Sequence, residues 1–285
     1  MQIGHPGTSP DYHDKDQGGA TVRNTGHTRS LLLTGEEDAP NNYRATFEAG
    51  IDGESSSPRH HHNFEQIRYV LEGDYSIGTD QILPAGHIGY FPESSYYGPQ
   101  LRKPNVRMLT LQFGGPSGNG LLSVQQRRKG LEALLERGGT LEGGMYVTVD
   151  EDGNRHNQDA FEALWEHLSG EKIVYPRSRY DSIILIDPGG FGWVDDEHEG
   201  VTRKPLGTFS ERDTRLGFVR LEKGASIPLG TEPSPEILFL KQGSISHNGE
   251  VHAPLTAFAT ATHDGPEPLT AEEDSELLYI KLPTF

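Results

Sequence analysis

The chain has 285 residues, which is enough for two ordinary domains or for one large β domain. Its formal net charge of −17 argues against DNA, RNA or an anionic membrane as a partner, since each of these requires a cationic protein surface. The sequence contains no cysteine, which excludes disulfides, zinc–thiolate sites and thiol nucleophiles together. Without a membrane-length apolar run or a basic-then-apolar leader, we expect a cytoplasmic protein.

Residues 1–42 are expected to form an N-terminal arm that is irregular at its start, where Gly, Asp, His and Thr are frequent. From Tyr43 the pattern changes to short alternating segments, YRATFEA, QIRYVLEG, HIGYFP and VRMLTLQF, which are separated by turn residues. Strands of this length and spacing are typical of a sandwich or a small barrel. We therefore predict a first β domain over residues 43–117.

Residues 118–180 switch to helical spacing and are predicted to be a helical connector. A first helix is expected within residues 121–138, where apolar side chains recur at helical spacing and Gly138 supplies a stop. A second helix should begin at Asn157 or a neighbouring residue and end at Gly170. Its apolar stripe is interpreted as core packing and consists of Phe161, Leu164, Trp165 and Leu168.

The strand pattern returns from Ser182 onward, with SIILID, EILFLKQG and ELLYIKLP among its segments. We predict a second β domain over residues 181–285, so that the chain runs β-rich, helical and again β-rich. That order is typical of two similar β domains joined by an insertion.

The most informative stretch of the chain is a histidine motif, His60-x-His62-x3-Gln66-x6-Gly73. Side chains two positions apart on a β-strand share a face, and the first three of these residues have the same parity. His60, His62 and Gln66 can therefore converge on one point, where two imidazoles and one amide oxygen would form a partial shell for a divalent metal ion. His61 has the opposite parity and is expected to point away from that site.

This motif and the one that follows it resemble the two motifs of the cupin superfamily, G-x5-H-x-H-x3–4-E-x6-G and G-x5-P-x-G-x2-H-x3-N. Gly78, Pro84 and Gly86 match the opening of the second motif, whereas Gly53 stands one position away from the first glycine. The resemblance implies an all-β fold of two cupin barrels (jelly rolls, or double-stranded β-helices) with a helical connector.

The second half of the chain keeps only part of the cupin pattern. Glu236-x6-Gly243 matches the end of the first motif, but Gly230 and Glu232 stand where its histidines would be. The chain thus resembles a bicupin with a degenerate C-terminal cupin domain, for which we expect a structural role.

Two positions in the first half depart from the cupin pattern. Gln66 replaces the usual glutamate, and Tyr97, five residues after Pro92, replaces the usual third histidine. Tyr97 could ligate as a phenolate if the cation lowers its pKa, or it could hydrogen-bond a substrate, which we favour slightly. The resemblance implies one divalent metal ion at His60, His62 and Gln66, with Tyr97 as a further candidate ligand. Fe(II) is favoured, and Zn, Ni or Mn are alternatives.

Arg68 shares parity with Gln66 and is expected to project into the barrel. A buried arginine is costly unless it is paired, so either an acidic side chain neutralises it or it binds an anionic group of the substrate. The sequence leaves both interpretations open. Tyr90, Tyr96 and Gln112 are further candidates for lining the substrate cavity.

A neutral ligand set would leave the full charge on the metal, which favours an anionic small-molecule substrate. The resemblance implies a metal-dependent enzyme, with an oxygenase ahead of an isomerase, lyase or cyclase that works through an enolate. Tyr97 and Arg68 are the candidate catalytic residues. The alternative is a non-catalytic small-molecule-binding protein. Exposed barrel edges and the habit of the superfamily lead us to expect a homodimer.

Overall fold

The structure, a computed structural model, describes residues 1–10, 27–50, 55–260 and 265–285. In the described part of the chain before the first helix, the strands are β1 (Gln2–Gly4), β2 (His27–Thr34), β3 (Tyr43–Gly50), β4 (Ser55–Ser57), β5 (Glu65–Glu72), β6 (Asp74–Gly78), β7 (Gln81–Pro84), β8 (Ile88–Phe91), β9 (Gln100–Arg102) and β10 (Arg107–Phe113). The four segments that predicted strands from Tyr43 onward correspond to β3, β5, β8 and β10.

The first predicted helix of the connector is α1 (Val124–Glu136). It begins with a capping box, in which the side chains of Ser123 and Gln126 each accept the backbone N–H of the other. A three-stranded antiparallel sheet follows it, which the sequence patterns did not predict. Its strands are β11 (Thr140–Glu142), β12 (Met145–Val149) and β13 (Arg155–Asp159).

The second predicted helix is α2 (Ala160–Ser169). Its N-cap is Asp159 and not Asn157, because the Asp159 carboxylate accepts two backbone N–H groups of the first turn. The helix ends at Gly170, whose φ of 73° lies in the left-handed region that favours glycine. Phe161 and Leu164 of the predicted stripe are buried.

The second half of the chain is again built of strands. In its described part they are β14 (Ile184–Ile186), β15 (Val194–Asp195), β16 (Val201–Thr208), β17 (Arg215–Leu221), β18 (Ser226–Leu229), β19 (Glu236–Gln242), β20 (Ile245–His247), β21 (Glu250–His252), β22 (Ala257–Thr260), β23 (Glu267–Ala271) and β24 (Ser275–Lys281). A short 3-10 turn, Pro188–Gly190, separates β14 from β15.

Two antiparallel sheets enclose each half of the molecule. In the N-terminal half the strand orders are β14-β8-β5-β10-β3-β2 and β4-β9-β6-β7, and in the C-terminal half they are β1-β22-β19-β24-β17-β16-β15 and β18-β23-β20-β21. This is the mostly-β, two-barrel architecture that the sequence predicted. Across the described ranges, no helix has the length and apolar character needed to cross a bilayer.

The two halves exchange strands across the predicted domain boundaries. β1, within the predicted arm, pairs with β22 of the C-terminal half, and β2 extends the N-terminal sheet beside β3. β14, which the sequence assigned to the second domain, pairs with β8 of the first. Each exchange gives a sheet edge a hydrogen-bonding partner. Residues 11–26 of the arm and Gly53 of the motif lie outside the described residues.

The alternation of side chains along β5 separates two interiors. Ile67 and Tyr69 pack into the core between the two halves, where the rings of Tyr69 and Phe218 meet edge to face with centroids 5.7 Å apart. Gln66 and Arg68 have the opposite parity and point into the first barrel. The strand therefore places polar side chains in the barrel while its other face holds the halves together.

Candidate functional site

A polar patch lines the interior of the first barrel on the neighbouring strands β5, β10 and β3. Their register places two cross-strand rows side by side: Gln66, Gln112 and Arg44 in one, and Arg68, Thr110 and Thr46 in the next. Opposed side chains in an antiparallel sheet are close enough to hydrogen-bond. The guanidinium of Arg44 donates to Gln112 Oε1, and Gln112 Nε2 donates to Gln66 Oε1 at 3.3 Å.

The amide of Gln66 is held in one orientation by three hydrogen bonds. Its Oε1 accepts from Arg68 Nη2 at 2.9 Å as well as from Gln112. Its Nε2 donates to the hydroxyl oxygen of Tyr97 at 2.5 Å. Turning the amide over would set its NH2 group against the N–H groups of Arg68 and Gln112, so this orientation is strongly preferred.

Arg68 is 6% exposed and is surrounded by aromatic rings and neutral polar groups. Its guanidinium donates to the Tyr75 hydroxyl and lies 4.7 Å from the ring centroid of Phe91 and 5.6 Å from that of Tyr97. Among the described residues no carboxylate pairs with it. The sequence left open whether an acidic side chain neutralises Arg68 or whether Arg68 binds an anion of the substrate. The structure does not show the first arrangement among the described residues.

His60 and His62 lie in an irregular segment before β5, and their position depends on Tyr97. The backbones of His60 and Tyr97 exchange two hydrogen bonds of 3.0 Å. The His60 ring centroid lies 4.5 Å from that of Tyr97 and 5.0 Å from that of His62, and His62 stacks on Phe64 at 4.4 Å. The prediction that strand parity aligns the two histidines with Gln66 is wrong, because no strand runs through them.

The His60 imidazole has a defined tautomer. Its Nδ1 donates to the carbonyl oxygen of Pro58 at 2.7 Å, so Nδ1 carries the hydrogen and Nε2 carries the lone pair. A histidine held in this way can accept a proton, and its Nε2 is also the atom that would bind a metal.

The four predicted ligands do not fit a common divalent ion as the structure arranges them. Gln66 presents to Tyr97 an amide nitrogen, which has no lone pair to give, and it turns its oxygen to the cationic guanidinium of Arg68. A second cation near that oxygen would meet like-charge repulsion. Within the described ranges, no cluster of three His, Asp or Glu side chains is arranged to hold an ion.

A cavity of about 320 Å³ opens off the polar patch. Arg68, Gln112, His60 and His62 line it, and so does Tyr96, which is 51% exposed. The connector closes part of its wall. A volume of this size is suited to a small organic molecule.

His61 also lines this cavity, which corrects the expectation that it points away. Its ring is stacked between those of Tyr96 and Tyr175, with centroids 4.0 and 3.9 Å away. Tyr175 belongs to the connector, and its hydroxyl donates to Glu162 at the start of α2. The stack therefore joins the rim of the barrel to the connector.

Tyr90 does not line the cavity, so its prediction as a substrate-binding residue is corrected. In the register it lies opposite Ile67 and shares the face of β5 and β8 that is turned to the second half. Its hydroxyl donates to Glu65 at 2.5 Å, and its ring lies 4.9 Å from that of Phe209.

Sequence reasoning missed several side chains of the cavity. Arg44, Thr46 and Glu48 alternate along YRATFEA, a pattern that on a half-buried strand usually indicates the solvent face. Here that face is turned into the barrel, where Glu48 pairs with Arg102 at 2.7 Å. Phe161 of α2 was interpreted as core only, yet it also lines the cavity.

In the C-terminal barrel, both oxygens of the Glu236 carboxylate accept hydrogen bonds from the protein. One oxygen of the Glu236 carboxylate accepts the backbone N–H groups of Gly230, Thr231 and Glu232 at 2.7 to 3.1 Å. The other accepts the hydroxyl of Tyr279 at 2.9 Å. Three of these donors belong to the loop that leads into β19, so Glu236 stabilises that loop.

Comparison with known proteins shows the fold. No protein-family model and no curated protein matches the sequence. Among solved structures, a Nostoc punctiforme protein provisionally assigned as a dioxygenase is 9% identical, with 99% of this chain and 82% of that chain covered and a TM-score of 0.60. An oxalate decarboxylase from Bacillus subtilis, described with Mn(II) centres, is 11% identical over 100% of this chain and 78% of that chain, with a TM-score of 0.55.

A nickel(II) complex of a bacterial pirin from Escherichia coli is 11% identical, covers 99% of both chains and has a TM-score of 0.51. These similarities extend over nearly the whole chain, and they show a bicupin fold. The resemblance inferred from the sequence motifs is thereby confirmed for the fold. The three proteins differ in what they are described as doing, and at this identity the fold is the property they share with this chain.

Proposed function

We propose that the N-terminal barrel binds a small organic anion against Arg68 and transfers a proton on it with His60. The observation that carries this proposal is the buried guanidinium of Arg68, which faces a cavity of ligand size and has no carboxylate partner among the described residues. A buried cation of this kind is unfavourable until an anion joins it. A carboxylate matches the planar fork of its N–H groups.

His60 is the side chain best suited to move the proton. Its Nε2 carries the lone pair, and the residue lines the same cavity as Arg68. A carbon acid whose carboxylate is held by Arg68 could lose a proton to this imidazole and regain it at another position, as in an isomerisation. Tyr97 and His62 fix the surroundings of that imidazole through the ring contacts described above.

The test is hydrogen–deuterium exchange at carbon. Malonate, pyruvate and succinate would be incubated with the EDTA-dialysed full-length protein in D2O, and loss of their C–H signals would be followed by NMR. We expect exchange above the buffer rate for at least one acid. His60→Ala should reduce that exchange to background without loss of binding, whereas Arg68→Gln should weaken binding.

The matched control is His87→Ala, because His87 lies on a turn outside the cavity. That variant should exchange like the wild type. Unchanged exchange in His60→Ala would contradict the proposal. Binding without any exchange would instead support the non-catalytic binding protein that the sequence left as an alternative.

A metal-dependent oxygenase is the second candidate. The adjacent imidazoles of His60 and His62 favour it, as does the fold shared with a nickel complex, with an enzyme that has Mn(II) centres and with a protein provisionally assigned as a dioxygenase. It requires Gln66 to turn its oxygen away from Arg68. Elemental analysis of the purified protein distinguishes the two: stoichiometric iron that His60→Ala removes would favour the oxygenase. Absence of iron, manganese, nickel and zinc would favour metal-free proton transfer.

A further inference from the structure

In the part of the chain that the structure describes, buried hydrogen-bond donors without a partner line the cavity. Within the described residues, five donor atoms that line it are buried and have no hydrogen-bond partner: Arg68 Nε, Arg102 Nε, Arg102 Nη1, Gln100 Nε2 and Thr110 Oγ1. The four residues are 3 to 6% exposed. Buried polar groups in folded proteins are normally paired, so a cluster of unpaired donors in one cavity indicates a ligand rich in acceptors.

The positive charge in the cavity is also incompletely balanced. The guanidinium carbons of Arg68 and Arg102 lie 5.3 and 5.4 Å from the centroid of the same ring, that of Tyr75, so they are at most 10.7 Å apart. The carboxylate nearest to Arg102 is Glu48, at 2.7 Å, and it also pairs with Arg29 at 3.3 Å. One carboxylate is thus shared by two arginines, while Arg68 has none.

The unpaired donors fall into two places. Arg68 Nε belongs to the anion site of the proposed function, on β5. Arg102 and Gln100 are the two ends of the short strand β9, and Thr110 lies beside Arg68 in the register of β10. Because β9 and β5 belong to opposite sheets of the barrel, Arg102 and Gln100 approach the cavity from the wall opposite Arg68, whereas Thr110 shares the wall of Arg68.

We infer that Arg102 and Gln100 form a second anion subsite, so that the ligand of this cavity is a small dicarboxylate with one carboxylate at each arginine. This rests on the proposed function for the Arg68 end. A dicarboxylate supplies at least four acceptor oxygens, which matches the surplus of donors. It also brings one negative charge to each guanidinium, which offsets the positive charge that Glu48 leaves unbalanced.

The experiment compares acids that differ by one carboxylate. Malonate, succinate and glutarate are titrated calorimetrically into the full-length protein and compared with propionate, butyrate and valerate, which have the same chain lengths. We expect the best diacid to bind about tenfold tighter than its monoacid or better, as a charge-assisted hydrogen bond allows. Arg102→Gln should abolish that preference and leave monoacid affinity unchanged, whereas Arg68→Gln should weaken both.

Two further variants provide a second test of the subsite and a control. Gln100→Met removes the amide donor with little change of size, and it should weaken the diacid and spare the monoacid even if Arg102→Gln proves unstable. Arg107→Gln is the matched control, because Arg107 pairs with Glu72 on the surface and does not line the cavity. It should bind every acid like the wild type.

Each outcome decides the inference. Equal affinity for diacid and monoacid, or equal losses for both in Arg102→Gln, would overturn the second subsite while the proposed function stands. Inorganic phosphate binding more tightly than every diacid would overturn the dicarboxylate assignment. Failure of all these acids to bind would overturn the proposed function together with the inference that rests on it.

Discussion

Arg68 determines the orientation of Gln66 through the hydrogen bond from its Nη2 to the amide oxygen. The contact has two consequences for a divalent ion near His60 and His62. It occupies the oxygen that would ligate, and it places a like charge beside the site. The substitution of glutamate by glutamine at position 66 therefore matters less for the ligand set than the arginine two residues further on.

Replacing Arg68 by methionine should increase the affinity of the site for a divalent metal ion. The Gln66 oxygen would lose its cationic donor, so we expect affinity for Ni(II) or Mn(II) to rise about tenfold or more in calorimetric titrations. Arg107→Met is the control for loss of one positive charge at the surface. Unchanged metal affinity in Arg68→Met would show that Arg68 is not what keeps Gln66 from ligating.

Glu65 makes the stability of the fold dependent on pH. Burial raises the pKa of this carboxyl to about 8, with the hydrogen bond from Tyr90 and the nearby charge of Arg179 acting against the rise. The unfolded chain has the ordinary pKa near 4.5. Stabilisation by the protonated carboxyl is therefore complete below pH 4.5 and is lost as the pH rises through 8.

Glu65→Gln should flatten this dependence, because the amide is neutral at every pH. Relative to that variant, the wild type should lose free energy of unfolding on the order of 4 kcal/mol between pH 4.5 and pH 8, measured by urea denaturation. Glu72→Gln, at an exposed ion pair, is the control and should keep the wild-type profile. Parallel profiles for wild type and Glu65→Gln would refute the assignment.

How far single residues could be predicted depended on whether they lie in a regular strand. Parity applies to Gln66 and Arg68, which lie within β5 and point to one side. It fails for His61, because the backbone before β5 follows the bridge between His60 and Tyr97 and has no strand periodicity. The hydrogen bond between Arg68 and Gln66 depends on rotamers, which spacing along a sequence does not specify.

At the scale of elements, helix α2 is the part of the connector whose first turn lines the cavity. Its first turn places Phe161 against the His62 ring, with centroids 5.3 Å apart, and its N-cap Asp159 lies in the cavity wall. The geometry of this cap therefore affects both the stability of the connector and the shape of the site.

Asp159→Ala should lower the free energy of unfolding by about 1 kcal/mol, since it leaves the N–H groups of the first turn without their acceptor. Asp159→Asn should cost much less, because an asparagine oxygen can also cap a helix. Urea denaturation measures both, with Asp152→Ala on an exposed turn as the control. Equal destabilisation by alanine and asparagine would mean that the charge, and not the cap, is what matters.

The two helices of the connector were predictable because their signals are local. Gly138 and Gly170 follow the apolar periodicity directly, and each stands just beyond the end of its helix. The sheet of β11, β12 and β13 was not predicted. Its strands are short and β13, with the sequence RHNQD, has no apolar alternation, so its pairing depends on neighbours and not on its own pattern.

At the scale of the whole molecule, the first barrel was predicted from the motif around His60 and the glycine and proline spacing after it. The second barrel was predicted from Glu236-x6-Gly243 and from the strand pattern that returns after the helices. The exchange of β1 and β14 between the halves was not predictable, because Ile3 meets Phe258 and Leu185 meets Gly89 across long separations in sequence. The expected homodimer stays a prediction, which light scattering can measure.

The most direct test of an anion site built on Arg68 is a crystal structure of the protein grown with malonate and manganese, with anomalous data collected at the metal edge. We expect a carboxylate of malonate within hydrogen-bonding distance of Arg68, the oxygen of Gln66 still turned to that guanidinium, and no anomalous peak between the histidines. A strong anomalous peak bound by His60, His62 and the oxygen of Gln66 would contradict the account.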